Sequence, residues 1–123
     1  IRRMVRDLNF PLEIVGVPTV REPDGLAMSS RNVRLSTAER QAAAVLYRAL
    51  EAAQASDQTA SRVLVSIARH VIASEPLARV EYIEIVDRDT LAPVVTVDRE
   101  CRLALAVWFG NVRLIDNIAI IPR

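Results

Sequence analysis

The amino-acid sequence predicts an α+β domain in which a helical hairpin packs on a small antiparallel sheet. Three observations carry this. Ser36-Thr37-Ala38-Glu39 is a capping box that opens an apolar stripe of helical spacing; a second such stripe ends at Pro76; and beyond Pro76 the apolar period changes from helical to about two.

In chain order, Ile1 to Leu8 place Met4, Val5 and Leu8 on one side and Arg2, Arg3 and Asp7 around the other, as in the last turns of an amphipathic helix. No capping residue precedes Ile1, so the N-terminus reads as a cut through a helix. Leu12 to Val17 is β-branched and largely apolar between Pro11 and Pro18, the profile of a short strand buried on both faces. Helix then strand is half of an α/β unit. From Thr19 to Asn32 the chain turns polar, with Pro23-Asp24-Gly25 as a turn.

From the Ser36 cap, Ala42, Val45, Leu46, Ala49 and Ala53 keep helical spacing through Gln54, with Arg40, Arg48 and Glu51 on the opposite face. A second helix from about Ala60 to Ser74 is expected to bury Val63, Leu64, Ile67 and Val71 and to present Arg62, Ser66 and Arg69. Val80 to Val86 reads as one strand, and alternating Leu103, Leu105, Val107 and Phe109 as a second. Gly110-Asn111 fits a hairpin turn needing positive φ at its first position. Val112 to Ile115 and Ile118 to Ile121 would complete three or four strands, with Asp116 and Asn117 shaping a turn between them.

Composition sets the functional bounds. A length of 123 residues accommodates one domain, or one domain and a short neighbour. No apolar run is long enough to span a bilayer and no signal-peptide pattern is present, which makes the cytoplasm the expected location. Cys101 and His70 are each the only residue of their type, too few for a disulfide or a structural zinc site. All 16 basic residues are Arg, against 15 acidic ones, for a net charge of +1 without a cationic cluster. Nucleic acid is an unsuitable partner, and a mechanism needing a lysine must draw it from elsewhere. His70 lies at the edge of the Val63–Ile67 stripe with no nucleophile beside it and is expected to have a packing or surface role; Cys101 has no activating partner and is expected to be an inert strand cysteine. Tyr82 and Trp108 are expected in the core.

One loop is chemically distinctive. Met28-Ser29-Ser30-Arg31-Asn32 offers two hydroxyls, a run of backbone N–H groups and a guanidinium fork, which suits a phosphate. A purely local role is equally open, in which Ser29, Ser30 and Asn32 cap turns and Arg31 pairs with Asp24 or Glu22.

The stretch Gly16-Val17-Pro18-Thr19-Val20-Arg21-Glu22-Pro23-Asp24-Gly25-Leu26-Ala27-Met28-Ser29-Ser30-Arg31-Asn32 resembles the segment joining the two domains of pantothenate synthetases, the pantoate–β-alanine ligase family. The likeness continues in Leu35 to Arg40, Val80-Glu81-Tyr82 and Arg113 to Asn117, where it leaves a structural hinge role open for Asp116 and Asn117. It implies that residues 1–19 end a Rossmann-like nucleotide-binding domain and that residues 20–123 form a C-terminal lid carrying a KMSKS-like loop at 26–32. The implied reaction joins pantoate to β-alanine through pantoyl adenylate, consuming ATP with Mg2+ and releasing pyrophosphate and AMP. The resemblance further implies that Ser29, Ser30 and Arg31 bind phosphate oxygens, with Arg31 the catalytic cation, and that the Val20 and Met28 backbones hold adenine. The family's His-x-Gly-His signature, pantoate-binding glutamines and α-phosphate lysine have no counterpart in these residues, so the chain alone is expected to be inactive. A homodimer is expected of the full-length protein, with no membrane or nucleic-acid partner and no metal held by protein ligands. The competing classes are a non-catalytic interaction module and another adenylate-forming ligase.

Overall fold

The computed structural model describes residues 1–123 and builds one layer of helices on one three-stranded sheet. Its elements are α1 (Arg2–Asp7), a 3₁₀ helix (Ser30–Arg34), α2 (Thr37–Ala42), α3 (Val45–Gln54), α4 (Ser61–Ala73), β1 (Ala78–Asp87), β2 (Cys101–Phe109) and β3 (Val112–Ile120). The sheet is antiparallel in the order β1-β2-β3. The expected α+β architecture is present: α3 and α4 pack on each other, α4 against β1 and α3 against β3.

Local chemistry explains the boundaries. The Ser36 hydroxyl accepts from Glu39 N–H at 3.2 Å while the Glu39 carboxylate accepts from Ser36 N–H at 2.9 Å, the reciprocal pair that starts α2. Gly110 turns β2 into β3 at φ +58, in the left-handed region open to glycine. Leu103, Leu105, Val107 and Phe109 are fully buried on one face of β2, against Leu46, Leu50, Leu64 and Ile72 of the helices.

Five expectations are corrected. Leu12 to Val17 forms no strand; it is largely exposed, with no neighbouring strand to satisfy its backbone. The helix expected from Ser36 to Gln54 breaks at Ala43-Ala44, where ψ near −20° and a Leu46 N–H to Ala43 C=O bond tighten one turn to 3₁₀. On α4 the buried row is Ser61, Leu64, Ala68 and Ile72, the side that packs on α3 and β1; Val63, Ile67 and Val71 are only half-buried. β3 runs unbroken from Val112 to Ile120, so Asp116 and Asn117 lie within a strand, opposite Leu105 and Ala104. Tyr82 and Trp108 are half-buried rather than core: Trp108 belongs to the outward set of β2, and its indole N–H donates to Glu81 at 2.9 Å. For Tyr82 the cause is a bulge between Val80 and Tyr82 that shifts the β1 register, so Ile83 and Ile85 face the core and Tyr82 does not.

The bulged Glu81 is also gripped by Arg113 at 3.0 and 2.7 Å, which with the indole donor holds its carboxyl down at about 2. At the far end of β1, Asp87 organises the return loop. It accepts from Asp89 N–H, Thr90 N–H, the Thr90 hydroxyl and the Arg99 guanidinium, which together hold its carboxyl well below the usual range.

Candidate functional site

The segment from Val20 to Met28 folds into a tight hairpin. Met28 N–H donates to Val20 C=O at 2.9 Å and Glu22 N–H to Leu26 C=O at 2.8 Å, with Arg21 bridged to Ala27. Pro23-Asp24-Gly25 makes the tip, closed by Gly25 N–H on Glu22 C=O at 2.9 Å. Gly25 sits at φ +92, and a Cβ placed there would lie 2.2 Å from Cδ1 of Tyr47, so glycine is demanded twice over.

Three contacts fasten this hairpin to the domain. Leu26 is buried in the core cluster. Asp24 receives the Arg40 guanidinium of α2 at 2.6 and 3.2 Å, which holds its carboxyl below the ordinary range. Arg21 forks onto Asp116 of β3 at 2.6 and 3.1 Å, donates to Gly25 C=O at 3.1 Å and lies 4.1 Å from the centre of the Tyr47 ring. The Arg21–Asp116 hydrogen bonds raise the guanidinium further above its ordinary value.

Directly after the hairpin comes the Ser-Ser-Arg loop. The Ser29 hydroxyl oxygen accepts from Arg31 N–H at 3.2 Å and caps the 3₁₀ helix. Asn32 donates from its amide nitrogen to Ala27 C=O at 3.0 Å, closing the loop on itself, while its Oδ1 is buried without a partner. Ser29, Ser30 and Arg31 are exposed. Ser29, Arg31 and Asn32 line a cleft of ≈ 200 Å³ between the loop and the Arg113–Asp116 stretch of β3.

Part of the purely local reading is present, since Ser29 and Asn32 do brace turns. Its ionic part is not. Arg40 occupies Asp24, and Arg31 has no carboxylate partner; its Nη1 donates only to the Arg113 C=O at 3.4 Å. Arg113 is itself neutralised by Glu81, which leaves Arg31 as the unpaired cation on this cleft. The fold thus brings together Val20, Met28, Ser29, Ser30 and Arg31 at one end of the sheet, at the β3 edge.

His70 is exposed on α4 among Arg62, Val63, Ser66, Ile67 and Val71, away from this loop. Cys101 is buried on β2, and burial pushes its thiol up, away from reactivity. No group of three or more His, Cys, Asp or Glu is placed to hold a metal ion, and no helix is long and apolar enough to cross a membrane.

Sequence reasoning assigned Arg21 no role and Asp116 only a turn or hinge role, and missed their pairing. A signal existed: Asp116 falls in the inward-facing row Val112, Leu114, Asp116, Ile118, Ile120, where a carboxylate requires a partner.

The chain matches the family model described as pantoate-beta-alanine ligase over residues 1–119. It is 52% identical to the pantothenate synthetase of Heliobacterium modesticaldum over 98% of its own length and 44% of that protein's. To the pantothenate synthetase of Chloroflexus aggregans it is 52% identical, covering 95% of this chain and 44% of the relative. The chain therefore spans less than half the length of the curated relatives it matches. Its fold superimposes on the pantothenate synthetase of Thermus thermophilus with a TM-score of 0.88 at 46% identity, covering 98% of this chain and 45% of the other. It matches the pantoate-beta-alanine ligase of Francisella tularensis, solved in complex with beta-gamma ATP and beta-alanine, with a TM-score of 0.59 at 27% identity, covering 95% and 37%.

Proposed function

The chain belongs to the pantoate–β-alanine ligase family, and from that premise we propose that it forms the nucleotide-closing part of an enzyme that condenses pantoate with β-alanine at the expense of ATP. Residues 20–123 act as a lid and residues 1–19 end the nucleotide-binding domain. The observation that carries this is Arg31, exposed and without a carboxylate partner beside the Ser29 and Ser30 hydroxyls, on a loop that follows a hairpin fastened by one ion pair at its base and another at its tip.

The chemistry follows from this arrangement. Attack of the pantoate carboxylate on the α-phosphorus breaks the bond to pyrophosphate, so negative charge grows on the departing group. A preorganised guanidinium aimed at that group lowers the barrier without reorganising at the moment of reaction. The Ser29 hydroxyl, whose oxygen already accepts from Arg31 N–H, keeps its own proton for a phosphate oxygen, and Ser30 offers another. Mg2+ would travel with the triphosphate. In the hairpin, Met28 N–H is spent on Val20 C=O, while Val20 N–H and Met28 C=O have no backbone partner. One free donor and one free acceptor at the same rung match the N1 acceptor and N6 donor on the edge of adenine.

Pantoyl adenylate is a reactive mixed anhydride, and a lid closing over it would keep water out until the β-alanine amine arrives. This chain has no lysine, and its one histidine is remote from the loop, so any lysine contact to the phosphates must come from outside these residues.

In a complete enzyme carrying this chain, Arg31→Ala should reduce pantoate-dependent adenylate formation by about 10²-fold or more with the fold intact. Unchanged kinetics would reject the loop as a phosphate clamp and favour a docking role.

A further inference from the structure

Asp116 stands where the strand pattern calls for an apolar residue. Its side chain is 4% exposed, between Leu114 and Ile118 in the inward row of β3, and its partner Arg21 lies 95 positions earlier with 18% exposure. A buried ion pair is poor stabilising material, because the desolvation of both charges offsets their attraction, and well-packed apolar replacements are often neutral or better. What the pair supplies is geometry: a planar fork meets a carboxylate in one orientation only.

Arg21 is also the residue from which the hairpin takes its position. Its guanidinium touches β3 through Asp116, α3 through the Tyr47 ring, and the hairpin tip through Gly25 C=O. Its backbone pairs with Ala27, one residue before Met28 and two before Ser29. The second ion pair on the hairpin, Arg40–Asp24, is more exposed, at 33% and 41%, and fastens the tip rather than the base.

We infer that Arg21 and Asp116 form a positioning unit that sets the place and orientation of the Met28–Arg31 loop for ATP, acting on the reaction through the loop and not by contact with substrate. The inference rests on the reading of that loop as a phosphate clamp. Without the fork, the base of the hairpin can shift against β3, and a shift of about 1 Å in a phosphate-binding group is enough to be felt in catalysis.

The discriminating variant is the apolar pair Arg21→Met with Asp116→Leu, which removes both charges and leaves neither unpaired; Arg21→Lys, which keeps the charge and loses the fork, accompanies it. In the double variant, the melting temperature of this chain should stay within about 4 °C of the parent. The Glu22 and Met28 amides, bonded across the hairpin, should exchange about tenfold faster while β2 amides keep their protection. In a complete enzyme, both variants should raise KM for ATP and lower the adenylation rate, each by about tenfold, with KM for β-alanine unchanged. Parental exchange at Glu22 and Met28 in the double variant overturns the inference. So does a fall in stability that carries every kinetic constant down together. Faster hairpin exchange with parental ATP kinetics upholds the anchoring and refutes instead the phosphate-clamp reading on which it builds.

Discussion

Gly25→Ala is the substitution whose cost follows most directly from the structure. Alanine at φ +92 is strained by about 1–2 kcal/mol. The new Cβ would stand 2.2 Å from Tyr47 Cδ1, 2.9 Å from Cγ and 3.0 Å from Cβ. Tyr47 Cβ is fixed by the α3 backbone, so swinging the ring about the Cα–Cβ bond relieves the Cδ1 and Cγ contacts but not this one, and forced repacking of this kind costs about 1–3 kcal/mol. Displacing the ring also removes the face on which Arg21 lies, about 0.5–1 kcal/mol. The chain can escape by peeling off the hairpin, which forfeits the burial of Leu26, about 1.5–3 kcal/mol. Both routes converge on about 3 kcal/mol, or about 12 °C in melting temperature for a chain of this size.

Gly110→Ala is the internal control. There φ is +58, but the nearest atom is Oε1 of Glu39 at 2.6 Å, the far end of a flexible side chain whose Oε2 accepts from Ser36 N–H. The cost falls to about 1–2 kcal/mol of strain, plus at most about 1 kcal/mol if Glu39 must leave the capping box. Thermal unfolding followed by circular dichroism should therefore place Gly25→Ala about 4 °C below Gly110→Ala. Equal melting temperatures would refute the reasoning that the rigid contact with Tyr47 decides the cost.

Two further outcomes follow from the same contacts. Ser36→Ala removes one half of the capping box and should lower stability by about 1 kcal/mol, read as the denaturant midpoint at unchanged slope. Glu81 is held at about 2 against an unfolded value of 4.5, so its stabilising effect is complete above about 4.5 and disappears as pH falls through about 2. The difference in melting temperature between the parent and Glu81→Gln should accordingly be constant at neutral pH and shrink across that window, and added salt should reduce it because the group is exposed.

What was legible in the sequence was whatever depends on local pattern. The Ser36–Glu39 box, the inward row Leu103, Leu105, Val107 and Phe109, and the positive φ of Gly110 are each set by neighbours a few residues away. What escaped depends on distant partners. Leu12 to Val17 carries strand chemistry, yet a strand exists only where another strand satisfies its backbone. Val63, Ile67 and Val71 fit the helical period as well as Leu64, Ala68 and Ile72 do, and which stripe is buried is decided by α3 and β1 across the interface. Asp116 and Asn117 resemble turn residues because polar pairs between apolar runs commonly turn; here Arg21, far upstream, holds Asp116 inside a continuous strand. The Met28–Asn32 loop stood out in the sequence as the chemically distinctive stretch, but the freedom of Arg31 from Asp24 became visible only with Arg40 in place on that carboxylate.

The central claim is that this loop closes on the phosphates of ATP, and a structure of a complete enzyme carrying this chain, bound to pantoate and a non-hydrolysable ATP analogue, tests it most directly. The account predicts Arg31 and the Ser29 and Ser30 hydroxyls within hydrogen-bonding distance of phosphate oxygens, about 2.7–3.2 Å, with adenine against the Val20 and Met28 backbones. Nucleotide bound with the Ser29–Arg31 loop turned away, and its phosphates met by other residues alone, would contradict it.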